Sequence, residues 1–211
     1  YMPDVAAPVR IDVVSDFVCP WCWIGKRSVD ALAARRPVRR VWHPYFLHPG
    51  LPKEGMNRRA LMRMKFGADG PSPAMQNALT GALEEAGLSV DFTAIERVPN
   101  TLNAHRLMLW AEGQAVADIV AESLFQAYFA DALDIGDPHV LTRIGAAAGL
   151  DPEILADLLA GDRDQEVVEA RAADMLDRGI PGVPAQMIGR RSLLVGAQSP
   201  AALEDAIVAA S

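Results

Sequence analysis

The chain has 211 residues, of which 51% are hydrophobic and 22% are charged. This is the composition of a globular protein long enough to bury a core, which excludes an intrinsically disordered chain. The formal net charge of −7 argues against a general nucleic-acid binder, and no apolar run approaches the length that crosses a membrane.

The first half of the pattern is a strand, a helix and a second strand. Ile11 to Val14 is apolar and β-branched, which predicts a buried strand. Helical spacing follows from Trp23 to Arg35, and Pro37 ends it. Residues 38–47 are rich in Val, Trp, Tyr and Phe and predict the second strand, interrupted at Pro44. This order indicates a parallel βαβ unit.

Helical signals dominate from about residue 57 to residue 179. Asp137 and Asp151 each precede a proline, as an N-cap precedes the first residue of a helix. Near the end of this segment, an i, i+4, i+7, i+8 pattern predicts one apolar helix face. That face consists of Val168, Ala172, Met175 and Leu176.

The end of the chain returns to strands. Residues 185–188 and 192–195 predict a hairpin, and a last helix is expected over residues 200–210. The sequence therefore predicts an α/β fold in three parts. They are a βαβ half (9–50), an all-helical insertion (51–175) and a ββα half (176–211).

The two cysteines carry the strongest chemical signal. Cys19 and Cys22 form a C-x-x-C pair that follows a strand and opens a helix, with Pro20 at the first helical position. The i, i+3 spacing allows the sulfurs to bond, and the helix N-terminus favours a thiolate at Cys19. Cys22 lies one turn deeper and is expected to resolve a mixed disulfide formed at Cys19.

A cysteine pair can also bind zinc or covalent haem, or can be chemically inert. Zinc needs about four ligands, and the histidines are scattered, so we expect no metal. Covalent haem needs a histidine where Trp23 stands. Two inert buried cysteines remain the alternative to a redox pair.

Val183 and Pro184 are expected to form the second wall of the site. A proline at the first position of a strand is a candidate for a cis peptide bond, and a trans edge-strand proline is the alternative. A cis bond would turn the backbone groups of Val183 outward, where an extended substrate could pair with them.

Four segments together resemble a known family: DFVCPWCWIGKR, VPNTLNAHRL, YFADALDIGD and GVPAQMI. They are similar to the DsbA-like thiol–disulfide oxidoreductases, and most to the FrnE-like branch, over residues 9–208. The resemblance implies a thioredoxin fold with a helical domain inserted between its halves. It also implies that Cys19 is the nucleophile, Cys22 the resolving thiol and Pro184 the cis-proline, with Val183 supplying backbone contacts.

The resemblance assigns roles to the dipeptide Pro20-Trp21, which tunes the redox potential in this superfamily and contacts substrate. Strongly oxidising members carry a histidine there that stabilises the thiolate. The indole of Trp21 is only a hydrogen-bond donor. We therefore expect a less oxidising protein.

Three polar residues are candidates for supporting roles. Asp16, three residues before Cys19, could accept a proton during resolution; a turn or capping acid is the alternative. Asn103 and His105 belong to the family-like helical segment and could face the thiols across a cleft as substrate-binding residues. Helix capping and a core-edge histidine are the alternatives for these two.

The expected function is thiol–disulfide exchange with protein or small-thiol substrates in the cytoplasm, since the N-terminal residues show no signal-peptide pattern. The cysteine pair is itself the redox group, and glutathione is a candidate co-substrate. The related 2-hydroxychromene-2-carboxylate isomerases and kappa-class glutathione transferases give a second reading, although they typically carry serine at the position of Cys19. A non-catalytic chaperone or binding module is the third. No nucleic-acid or membrane partner is expected, and a homodimer is compatible with the family likeness.

Overall fold

The computed structural model describes residues 7–210, and a four-stranded sheet lies at the centre of the fold. The sheet order is β2-β1-β5-β6; β1 and β2 are parallel, and the other neighbours are antiparallel. A separate two-stranded ladder pairs β3 with β4. The strands are β1 (Val9–Ser15), β2 (Val38–Pro44), β3 (Met56–Asn57), β4 (Arg97–Val98), β5 (Ala185–Ile188) and β6 (Ser192–Val195).

Helices cover both faces of the sheet and fill the segment between β2 and β5. Helix α9 packs on α1 and β5, whereas α8 packs on β2 and on α4. The helix α5 continues as a π-helix over Gln126–Ala130. The helices are α1 (Pro20–Ala33), α2 (Arg58–Phe66), α3 (Pro73–Glu85), α4 (Leu102–Gly113), α5 (Ala117–Phe125), α6 (Pro138–Ala147), α7 (Pro152–Ala160), α8 (Gln165–Asp177) and α9 (Pro200–Ala210).

This arrangement confirms the predicted thioredoxin fold with inserted helices. The hairpin strands β5 and β6 have the predicted bounds. The side chains of Asp137 and Asp151 cap α6 and α7 as expected, by accepting from backbone N–H groups within the first turn. No helix among residues 7–210 is long and apolar enough to cross a membrane.

Three local features differ from the sequence prediction, and one predicted domain boundary falls inside a helix. The second strand ends at Pro44 rather than continuing to residue 47. The short ladder of β3 and β4 lies in a segment that read as helical, and two-residue strands leave no periodicity to detect. Leu176 is 57% exposed, although Val168, Ala172 and Met175 on the same helix are buried. The expected boundary at residues 175/176 falls inside α8, which contacts both the sheet and the inserted helices.

A continuous core joins the sheet to the inserted helices. Phe17 and Trp23, from the start of the fold, pack against Phe125, and Trp23 also stacks on Phe129. Lys26 reads in the sequence as a solvated helix residue, but it is buried. Its ammonium nitrogen lies 2.7 Å from carboxylate oxygens of both Asp30 and Glu122. Glu122, on α5, also accepts from Trp23 and Arg27, so one carboxylate ties α1 to the inserted helices.

Arg106, on α4, joins the end of α7 to the start of α8. It is fully buried, and its guanidinium donates to the carbonyl oxygens of Leu158 (2.7 Å) and Arg163 (2.8 Å). It also donates to the side chain of Asn103 and lies over the ring of Trp110. The residue satisfies backbone acceptors where α7 ends and α8 begins.

We expect Arg106→Met to lower the free energy of unfolding by about 3 kcal/mol, because buried carbonyl groups lose their donor. Chemical denaturation measures the change. The control Arg143→Met removes an exposed arginine of the neighbouring α6 and should stay within about 0.5 kcal/mol of wild type. Equal free energies of unfolding for the two variants would contradict a role of Arg106 in joining the end of α7 to the start of α8.

Candidate active site

The C-x-x-C pair lies where β1 gives way to α1. Cys19 is the N-cap of the helix with extended backbone angles, and Pro20 follows at the first helical position. The Cys19 N–H donates to the carbonyl of Asp16 (3.2 Å), and the Cys22 N–H donates to the carbonyl of Cys19 (3.0 Å). The Cys19 side chain makes no capping hydrogen bond. Its sulfur is therefore left for contacts outside the helix.

The sulfur of Cys19 points to the loop before β5. The Cys19 thiol donates to the carbonyl oxygen of Val183, with Sγ and O 3.9 Å apart. The Val183–Pro184 peptide bond is cis, and Pro184 is buried whereas Val183 is half-buried. The nucleophile candidate and the backbone candidate are thus in direct contact, although 164 residues separate them in sequence.

Gly25, which is not among the residues predicted from the sequence, packs closely against Pro184 and Gln186. A Cβ atom at this position of α1 would lie 3.4 Å from the Pro184 ring and 3.2 Å from the Gln186 amide nitrogen. An added Cβ would be in ordinary contact with the proline ring, and the flexible Gln186 amide would have to shift by a few tenths of an ångström. The signal in the sequence is a glycine inside a helix, three residues after Cys22, which is unfavourable unless close packing requires it.

The two thiols are not equivalent. Both residues are buried and both thiols are free. Burial raises the pKa of Cys22 well above its ordinary value, and the hydrogen bond and charge of Cys19 raise it further. Donors from Asp16 and Ser15 act in the opposite direction without reversing the shift. Cys22 is accordingly held as a neutral thiol at neutral pH.

Asp16 lies under the loop with both carboxylate oxygens in use. One oxygen accepts from the Phe17 N–H (2.9 Å) and lies 3.2 Å from the His105 imidazole. The other accepts from the Leu47 N–H at 2.8 Å. His105 also contacts the carbonyl of Tyr45. This pattern favours the turn-acid interpretation of Asp16, and it makes His105 the link between α4 and the cysteine loop.

The remaining site candidates, Trp21 and Asn103, lie on different helices. Trp21 is half-buried at the helix start, next to the thiols in the chain. Asn103 lies on α4, where its side chain accepts from Arg106 at 2.8 Å, and no contact joins it to either thiol. Its substrate-binding role stays a prediction. Within residues 7–210 no group of three or more His, Cys, Asp or Glu side chains is arranged to hold a metal ion.

A groove of about 300 Å³ runs beside the cysteine loop. Its wall on the cysteine side is Val18, the residue before Cys19, and exposed Leu176 and Glu169 lie on the opposite side along α8. The lining is mostly apolar, and burial lowers the pKa of His48, with the charge of Lys65 acting in the same sense. The other lining residues are Asp16, Phe46, Pro49, Pro99, Asn100, Thr101, Leu102, Ala172 and Ala173.

Comparison with known proteins supports this description. The family model of the DSBA-like thioredoxin domain matches residues 10–208. The protein YwbO of Bacillus subtilis (strain 168) is 26% identical over 202 residues, which are 94% of this chain and 96% of that protein.

Two solved structures illustrate the structural likeness. The probable DsbA oxidoreductase SCO1869 of Streptomyces coelicolor is 25% identical, with a TM-score of 0.84, over 96% of this chain and 89% of that one. The cytosolic disulfide reductase DsbM of Pseudomonas aeruginosa, solved with GSH, shares the fold at 19% identity and a TM-score of 0.67, over 94% and 99% of the two chains. Since the family model spans nearly all of the residues that form the sheet, the helices and the cysteine site, the chain belongs to the DSBA-like thioredoxin domain family.

Proposed function

We propose that the protein catalyses thiol–disulfide exchange through a mixed disulfide at Cys19. The observation that carries the proposal is the pair of free thiols at the start of α1, with Cys19 Sγ against the Val183 carbonyl. The Cys19 thiolate attacks a substrate disulfide. A Cys19–substrate S–S bond forms as the substrate S–S bond breaks, and the other substrate sulfur leaves as a thiolate. Cys22 then attacks Cys19, which releases the second substrate thiol and leaves the protein oxidised.

The surroundings of Cys19 suit a peptide substrate. The loop at Val183 offers backbone groups next to the sulfur, on which an extended segment can pair as an added strand. The groove beside Val18 can receive an apolar side chain that flanks the substrate cysteine. Protein disulfides are therefore the proposed substrate class. Glutathione remains a candidate co-substrate, and the cytoplasm remains the proposed location.

We expect Cys19→Ser to abolish catalysed reduction of insulin, because no nucleophile remains to form the mixed disulfide. Cys22→Ser should instead accumulate mixed disulfides, because the resolving thiol is lost. The turbidity of precipitating reduced insulin measures the first effect, and non-reducing gel electrophoresis measures the second. Full activity of Cys19→Ser would contradict the proposal and favour a chaperone. Glutathione-dependent turnover that is indifferent to the loss of Cys22 would favour an isomerase or transferase.

We expect Leu176→Glu to raise KM for a protein disulfide severalfold, because it places a charge in the apolar groove. The reaction with a small disulfide such as oxidised dithiothreitol should not change. Ile154→Glu is the matched control, since Ile154 is equally exposed but lies on α7, outside the groove. If Leu176→Glu weakened the reaction equally with the protein disulfide and with the small disulfide, the groove would not be the binding site of the protein substrate.

We expect the Pro20-Trp21 dipeptide between the cysteines to give the pair a moderate reduction potential. We expect wild type to be less oxidising than about −120 mV, the value of a strong oxidase. Trp21→His should make the protein more oxidising, because an imidazole can stabilise the reduced, ionised Cys19. Trp21→Phe is the control without an added ring nitrogen. Titration against glutathione measures all three, and a wild-type value near that of a strong oxidase would be evidence against this role of Trp21.

A further inference from the structure

The groove beside the cysteine loop is lined by two carboxylates, and only one of them is accessible. Asp16 is 1% exposed, and its two oxygens accept hydrogen bonds from the Phe17 and Leu47 N–H groups. Glu169 is exposed, and it forms no ion pair with any residue that the structure describes. The accessible charge in the lining of the groove is therefore the carboxylate of Glu169.

Helix α8 turns one face toward the groove. Its lining residues follow the i, i+3, i+4, i+7 spacing of a single helix face, and they are Glu169, Ala172, Ala173 and Leu176. The charged end and the exposed leucine at the other end are about 10 Å apart along the helix. An extended peptide covers this distance in about three residues. One short substrate segment can therefore contact both ends of the face.

The groups that face Glu169 from other elements leave its charge in place. His48, in the loop after β2, is uncharged at neutral pH, because burial and the charge of Lys65 lower its pKa. Lys65 itself is not in the lining, and its ammonium lies over the Phe66 ring, 5.4 Å from the centroid. Helix α8 carries four acidic residues and one arginine, Arg171, which is bound to Glu112. The α8 side of the groove is thus acidic.

We infer that Glu169 is a specificity-determining residue, which selects protein disulfides whose reactive cysteine is flanked by an apolar and a basic side chain. This inference rests on the proposed function. The apolar side chain packs against Leu176 and the two alanines, and the ammonium or guanidinium group pairs with the Glu169 carboxylate. An acidic side chain at the same place is repelled. Because the pair is exposed to solvent, it changes rates severalfold rather than by orders of magnitude.

The test uses peptides whose single cysteine is joined by a disulfide to a chromogenic aromatic thiol. The Cys19 thiolate attacks the peptide sulfur, a Cys19–peptide disulfide forms, and the original S–S bond breaks with its electron pair leaving on the coloured aryl thiolate. Each peptide carries one leucine and either a lysine or a glutamate, scanned over the four positions on each side of the cysteine. At the most sensitive position, we expect wild type to react about fivefold faster with the lysine peptide. This preference should shrink in about 1 M salt, which screens exposed charges.

The variants separate the local charge from the general field of the protein. Glu169→Gln should remove most of the preference for lysine, and Glu169→Lys should invert it. Glu166→Gln and Glu166→Lys are the matched controls, because Glu166 is exposed on the same helix but does not line the groove. Both controls should keep the wild-type preference.

A small reference disulfide separates this inference from the proposed function. The mixed disulfide of 2-mercaptoethanol and the same aromatic thiol has no flanking residues, and it should react equally with all five proteins. Absence of aryl thiolate release from every disulfide in wild type would overturn the proposed function. Release from the small disulfide, together with an unchanged preference for lysine in Glu169→Lys, would overturn the role of Glu169 alone.

Discussion

The close approach of α1 to the strand that follows Pro184 is the constraint on which the site depends. Gly25 packs closely against the Pro184 ring, and at the start of the same helix the Cys19 sulfur meets the Val183 carbonyl. Cys22 lies in the interior, where burial raises its pKa. The two sulfurs therefore have different environments. The Cys19 sulfur faces the loop where substrate is proposed to bind, and the buried Cys22 thiol has a raised pKa.

The inserted helices hold this arrangement from the opposite side. His105 on α4 contacts the carboxylate of Asp16, which also fixes the Phe17 and Leu47 N–H groups. Glu122 on α5 binds Lys26 and Arg27 on the cysteine helix. The loop before Cys19 and the middle of α1 are therefore both anchored to the inserted helices. The buried Lys26–Glu122 ion pair contributes more to geometry than to net stability, because desolvation offsets much of its attraction.

The sequence predicted those parts of the fold that local patterns encode. Strand β1, the hairpin of β5 and β6 and the capped starts of α6 and α7 were readable because periodicity, turn residues and caps act over a few positions. The burial of Lys26 was not readable, because its partner Glu122 is distant in sequence. Gly25 was missed for the same reason: its importance lies in the residues that another element places against it.

Asp16 connects the cysteine loop to its surroundings through both its side chain and its backbone. Its two carboxylate oxygens accept from the Phe17 and Leu47 N–H groups, and one of them lies 3.2 Å from the His105 imidazole. Its carbonyl accepts from the Cys19 N–H. A backbone hydrogen bond from Asp16 lowers the pKa of Cys22, but burial outweighs this effect. In the proposed exchange, Cys22 therefore has to lose its proton inside the protein before it attacks Cys19. That Asp16 accepts this proton stays a prediction.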